Sequence, residues 1–320
     1  MLRVEIVARS ILSGMAVFGF LASSPLEAAP PEPKGAATFT AYNLRNYLPM
    51  RRRVGDESIV TGKPEEEVAA LIGYLKEIDP DILGVCEIGD ESYVEDLKKR
   101  LKQAGVDLPY HTWFRATDPD RHLAVLSKFP IVSTNHQANL TFNINGMEIP
   151  FRRGILDATV QVDDDYQLRI LGIHFKSKRE VKEADQNLMR RNEADLLREH
   201  VKQILAEDEN TNLIVYGDFN ANRHEPPMSA VRGRYHSPTY LWPLDLEDEN
   251  GQRWTYYWSY ADQYSRFDFA LASGALKKEV LMESSYLPWD REWYTASDHR
   301  PLVVRFMPDD EFVAPRVKGK

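Results

Sequence analysis

An apolar run, Leu213-Ile214-Val215-Tyr216, breaks off at Gly217 and delivers Asp218, Phe219 and Asn220. A stretch of that length closed by a turn residue reads as a core strand, and open α/β folds bind ligands at the carboxyl ends of such strands. A fold for this chain must therefore bury the strand and leave a carboxylate and a carboxamide at its exit. Residues two apart on extended chain point to one side, so Asp218 and Asn220 can share an ion or a phosphoryl oxygen. The same letters also satisfy an Asx turn that merely closes the strand.

Four more strand ends carry similar groups. Asp298-His299 opens the alternating strand Pro301-Leu302-Val303-Val304-Arg305-Phe306, with proline at the position where its missing N–H does no harm. Asp81-Ile82-Leu83-Gly84-Val85-Cys86 ends on Glu87, Leu168 to Ile173 ends on His174 and Lys176, and Ala36 to Tyr42 ends on Asn43. Each alone is explained by a polar residue marking the end of a strand. Five ends bearing only Asn, Asp, Glu, His and Lys are harder to explain that way. An Asp beside a His joins a hard oxygen ligand to a group that titrates near neutral pH.

From about Thr38 to Phe306 the order of these residues resembles the endonuclease/exonuclease/phosphatase superfamily. That group contains pancreatic deoxyribonuclease, apurinic endonucleases, neutral sphingomyelinases and inositol polyphosphate phosphatases. The motifs that carry the resemblance are Gly217-Asp218-Phe219-Asn220 and Ser297-Asp298-His299. It implies an α/β fold, a four-layer sandwich of two mostly antiparallel sheets flanked by helices. It implies that Asn43, Glu87 and Asp298 hold a divalent cation, and that Asp218 and Asn220 orient the attacking water and contact phosphoryl oxygens. His299 resembles the catalytic imidazole, Asp268 the carboxylate that orients it, and His174 the second imidazole of the nuclease branch, with Asp120 as its acidic partner. Arg153 resembles a phosphate-contacting arginine that opens the strand from Gly154 to Val160.

The chemistry has reasons of its own. A cation polarising a phosphoryl oxygen lowers the barrier to attack on an anionic phosphodiester. Few carboxylates with several waters suit magnesium, with manganese or calcium as alternatives. A His-Asp couple lets His299 act as a base or as a cationic clamp. Zinc is disfavoured, because the histidines lack short ligand spacing and Cys86 stands alone.

With 320 residues and 43% hydrophobic content the chain suffices for one large domain, expected over 37–308, with a tail at 309–320. Arg3 and Arg9, the apolar run Ile11 to Leu21 and small residues to Ala28 have the layout of a signal peptide over 1–28, followed by a linker at 29–36. An exported, monomeric protein without stable membrane insertion is expected. Cys86 reads as a small buried residue rather than a nucleophile.

Between the motifs, helices are expected from Pro64 onward, from Glu91 to Ala104, and from about Glu183 to Ala206. The last should bury Leu188, Met189, Leu196, Leu197, Val201 and Ile204 and turn its arginines to solvent or phosphate. Turns are expected at Asn145-Gly146 and Asp163-Asp164-Asp165.

Substrate signals are mixed. A net charge of −9 argues against a broad polyanion-binding face. Local cations at Arg51-Arg52-Arg53 and at Lys176, Lys178 and Arg179 follow strand ends that bear site residues, so they can hold phosphates or simply be solvated. Aromatics crowd Trp254 to Trp258 and Trp289 to Tyr294, where they can stack a base, cover a lipid headgroup or pack the sheet. His174-Phe175-Lys176-Ser177-Lys178 is similar to a segment of exported bacterial nucleases of the superfamily, which favours DNA or RNA as the phosphoester substrate. A small or lipid-derived phosphate ester is the alternative. A silent binding module on the same fold would be expected to lose Glu87, Asp218 or His299.

Overall fold

A computed structural model describes residues 33–290 and 293–315. The expected signal peptide at 1–28 lies outside the described residues, as do 29–32 of the linker and 316–320 of the tail. The chain begins with β1 (Ala37–Tyr47) and the hairpin β2 (Met50–Val54) and β3 (Glu57–Thr61), then runs through α1 (Glu65–Ile78), β4 (Ile82–Ile88) and α2 (Glu91–Ala104). A strand-rich middle follows, with β5 (Tyr110–Phe114), β6 (His122–Ser127), β7 (Ile131–Thr134), β8 (Thr141–Ile144), β9 (Met147–Pro150), β10 (Leu156–Asp163) and β11 (Tyr166–His174). Then come α3 (Gln186–Glu207), β12 (Leu213–Asp218), α4 (Pro226–Arg232), β13 (Trp242–Pro243), β14 (Tyr256–Trp258) and β15 (Gln263–Ser265). The chain closes with β16 (Asp268–Ala272), α5 (Gly274–Glu279), α6 (Trp293–Ala296) and β17 (Leu302–Phe306).

Caps set the helix bounds. Three glutamates in the first turn of α1 face the positive end of its dipole. The Asp90 side chain accepts the Ser92 N–H at the start of α2, and left-handed Gly105 ends it. Asp185 accepts the N–H groups of Asn187 and Leu188, so α3 begins at Gln186 rather than near Glu183. Two expectations for α3 are corrected. Leu188, in that capped first turn, is half exposed, and Arg190 falls on the buried stripe instead of facing solvent.

The strands form two main sheets, ordered β17-β1-β4-β6-β5 and β13-β16-β12-β11-β10-β7. Only β1 with β4 and β11 with β12 pair in parallel; the other neighbours within these sheets are antiparallel. Both faces of the central strands are buried. Phe39, Ala41, Ile82 and Cys86 of the first sheet meet Ile170, Ile214, Tyr216 and Ala270 of the second in one apolar layer. The alternate residues Tyr42, Leu83 and Val85 pack against Val68, Leu71 and Leu97 of α1 and α2. Leu171, Val215 and Leu271 pack against Leu197, Val201 and Met228 of α3 and α4. Helix, sheet, sheet, helix is thus the layering.

One ring joins the sheets behind the site. Tyr216 lies against Gly84 of the opposite sheet and Gly172 of its own neighbour strand, where a Cβ at either position would collide with it. Its hydroxyl donates to the Ala124 carbonyl across the layer at 3.1 Å. The lone cysteine, Cys86, is buried with its Sγ 3.4 Å from the Ile173 carbonyl, and burial pushes its thiol well up. No helix among the described residues is long and apolar enough to cross a membrane.

Candidate active site

Strand alternation delivers the site residues. Phe39 and Ala41 face the layer between the sheets, so Asn43 two residues on does too; Ile170 leads likewise to His174, Ile214 and Tyr216 to Asp218, and Ala270 back to Asp268. Register then aligns them. His174 pairs with Asp218 and Asp218 with Asp268 as direct neighbours across β11, β12 and β16. Asn43 reaches from the other sheet and donates its Nδ2 to Asp218 Oδ2 at 3.3 Å.

Gly217 makes this exit possible. Its φ is 142°, and any Cβ there would strike the Ile173 carbonyl. Asp218 then divides its oxygens. Oδ1 accepts the Asn220 N–H at 2.8 Å, which is the Asx turn, while Oδ2 lies 3.7 Å from His174 Nε2 and 3.8 Å from His299 Nε2. Asn220 spends its amide on the Phe175 carbonyl at 3.1 Å, holding the His174 strand end.

Backbone strain gathers here. Arg45, Asn46, Glu87 and Asn220 all have positive φ, between 48° and 61°, and β1 and β4 both slip register where the first three lie. Such conformations cost free energy in non-glycine residues and concentrate at functional sites. The bulge aims the Asn46 N–H at Glu87 Oε2, 2.9 Å away.

His299 Nδ1 and Asp268 Oδ2 are 2.8 Å apart. Burial alone would lower the His299 pKa, but Asp268, then Asp218 and Asp298, outweigh it and push the imidazole up to about 10. Burial, helped by Arg153, His299 and Arg121, holds His174 well below its usual value. The two imidazoles are thus shifted in opposite directions. Burial also raises the Asp218 carboxyl, with Asp268 adding to this and His299 opposing it.

Among the described residues, one group offers three acidic or histidine ligand atoms within 4.8 Å of one another: Asp218, Asp268 and His299. The residues expected from the sequence to hold a cation have other neighbours. Glu87 Oε1 lies 3.9 Å from His174 Nε2, and its Oε2 lies 3.9 Å from Arg121 Nε. Asp298 Oδ2 lies 3.9 Å from Arg45 Nε. The Asn43 side-chain oxygen accepts the Arg45 N–H at 3.0 Å. Asp268 and His299 are committed to each other, so the compact group is better described as an acid-base couple facing Asp218 than as a metal cage.

The expected phosphate ligands fare unevenly. Lys176 is buried, its ammonium bonded to the Ser177 and Arg179 carbonyls and the Ser177 hydroxyl at 2.7–3.2 Å. Arg153 Nε sits 3.0 Å from Asp118 Oδ2, close enough for an ion pair. Lys178 pairs with Glu225, and Arg52 is bonded to the Asn46 carbonyl. Asp120 is exposed, whereas the acidic neighbours of His174 are Glu87 and Asp218. Arg45 and Arg121 were not anticipated from the sequence, yet they flank the two candidate metal-binding carboxylates.

A family model described as the Endonuclease/Exonuclease/phosphatase family matches residues 42–299, from the strand of Asn43 to His299. The chain belongs to the endonuclease/exonuclease/phosphatase family. No curated protein sequence matches it. Among solved structures, the human Nocturnin catalytic domain with bound sulfate is 17% identical, covering 86% of this chain and 96% of that one with a TM-score of 0.59. A family protein from Bacteroides thetaiotaomicron is 20% identical over 88% and 98% of the two chains, TM-score 0.57. Truncated TDP2 from Caenorhabditis elegans is 15% identical over 85% and 97%, TM-score 0.55. These likenesses establish a shared fold, in a family that includes nucleases, phosphodiesterases and phosphatases.

Proposed function

We propose that this chain is a divalent-metal-dependent phosphodiesterase acting on nucleic acid. The observation that carries the reading is Asp218 Oδ2, placed within 3.8 Å of the Nε2 atoms of both His174 and His299 at the end of the layer between the sheets. Asp218 Oδ2 and His299 Nε2 are close enough to be bridged by one oxygen atom. Asp218, its carboxyl raised by burial, takes the proton of the attacking water; charged His299 donates from Nε2 to a phosphoryl oxygen as negative charge builds there. Asp268 orients His299 and stabilises its positive charge. His174, kept neutral, offers its Nε2 to the same centre.

Glu87 and Asp298 would hold magnesium, helped by the Asn43 oxygen. The donor set fits: two carboxylates and a carboxamide are hard oxygen ligands, and each carboxylate stands 3.9 Å from its arginine, too far for a tight pair. When bound, such an ion supplies charge neutralisation at the phosphoryl and leaving oxygens. Export after cleavage near Ala28 belongs to the same proposal, and N-terminal sequencing of the mature protein checks it.

A small or lipid-derived phosphate ester is the second reading, favoured by the internal commitment of Lys176, Lys178 and Arg52. A panel of plasmid, single-stranded DNA, RNA, bis-p-nitrophenyl phosphate, inositol phosphates and sphingomyelin, each with magnesium, manganese or calcium, separates the two. Cleavage of a polynucleotide that stops on chelation is expected. Turnover of a headgroup or sugar phosphate alone would replace the nuclease reading with the second.

A further inference from the structure

We propose that the β14–β15 hairpin is a stacking platform for unpaired nucleobases, placed beside the reacting centre; this rests on the nucleic-acid reading above. The structure divides the late aromatics into two groups. Trp254 and Trp289 enclose the buried guanidinium of Arg300, 4.3 and 5.5 Å from their ring centres, while Arg300 itself pairs with Asp248 at 2.9 Å. Those rings are spent on packing. Trp258, Tyr260 and Tyr264 are instead 46%, 90% and 53% exposed.

The exposed rings are nonetheless braced. Tyr257 stacks on Tyr264 with centres 4.5 Å apart and donates its hydroxyl to Asp262, and the Tyr294 hydroxyl bonds Ser259. Trp258 and Tyr260 lie nearly parallel, at 30° and 5.9 Å. The hairpin is also fastened to the site. The Tyr257 N–H donates to the Asp298 carbonyl at 3.0 Å, and the Tyr256 ring lies 4.8 Å from the His299 imidazole. A strand held at its scissile phosphate by His299 and Asp298 thus has aromatic faces within reach of its neighbouring bases.

Charge selects the occupant. From Trp254 to Ser265 the chain contains no Lys or Arg and one acid, Asp262, so the hairpin has nothing with which to grip a duplex backbone or an anionic membrane surface. A duplex also hides its base faces. A single strand presents them, and base-on-aromatic stacking works without cations in a protein whose net charge is −9.

The test uses the mature protein with Trp258→Ala, Tyr260→Ala and the double variant, both side chains being exposed. Binding of a fluorescent single-stranded oligonucleotide is followed with EDTA present, and cleavage is followed with magnesium. Loss of each ring should raise Kd and KM for single strands about tenfold with little change in kcat, while bis-p-nitrophenyl phosphate hydrolysis stays at the wild-type rate. Trp258→Phe should recover most of the affinity, and the wild type should prefer single strands to duplex. Unchanged KM in the double variant, or rings needed only for binding phosphatidylcholine–sphingomyelin vesicles, would overturn the platform and leave the nuclease reading standing. A wild type that cleaves no polynucleotide would remove both.

Discussion

Asp218 shows why a single residue can satisfy two explanations at once. Its Oδ1 closes the Asx turn and its Oδ2 faces the imidazoles, so the turn and the site were never alternatives. His299→Ala should lower turnover by about 10²–10⁴, the usual worth of a positioned proton-transfer group. Asp268→Asn should retain the fold by circular dichroism yet lose much of the rate, because a neutral carboxamide no longer stabilises the His299 imidazolium. Wild-type turnover in Asp268→Asn would detach that residue from catalysis. Asn43, His174 and Asp218 stood out in the sequence because each ends a run that reads as a buried strand, and Asp268 was reached through the family resemblance. Arg45 and Arg121 were not, since the irregular backbone at Arg45 and Glu87, with no period to betray it, brings the cations beside the carboxylates.

At the scale of elements, the buried stripe of α3 holds a second lesson. Arg190, Glu193 and His200 share the spacing of Leu197 and Val201, so helical period placed them inward while residue type suggested the opposite. They face in to hold other elements: Arg190 and Glu193 grip the carbonyl and N–H of Lys176, and His200 bonds Asp157 of β10. The α5 helix offers a pH test. Burial, reinforced by Asp310 and Asp309, pushes the Glu279 carboxyl up to about 7, although its bond from the Tyr166 hydroxyl works the other way. The folded state therefore binds this proton more tightly than the unfolded chain, and the stability it contributes is lost as pH rises from the ordinary glutamate range to about 7. Glu279→Gln keeps an acceptor for Tyr166 and removes the charge. Thermal melts should show the variant more stable than wild type at pH 8 and no more stable at pH 4.5; equal melting at pH 8 would contradict this.

For the whole molecule, the two-sheet sandwich and its helical covers were anticipated, and the commitment of most nearby cations to internal partners was not. Six to ten phosphate contacts cost about 10³–10⁵ in affinity between 50 and 200 mM salt. This chain, with Arg52, Lys176 and Lys178 already bonded within it, should lose far less over that range in an oligonucleotide titration. A drop as large as that of a cation-rich nuclease would mean the basic groups leave their internal partners. The most direct measurement is the cleavage rate of labelled single-stranded DNA by the mature protein, with magnesium and with chelator, for wild type and Glu87→Gln. The expected result is rapid cleavage by the wild type in magnesium, none in chelator, and a large loss in Glu87→Gln. Equal cleavage in all cases, or none by the wild type with any divalent ion, would contradict the metal-dependent nuclease.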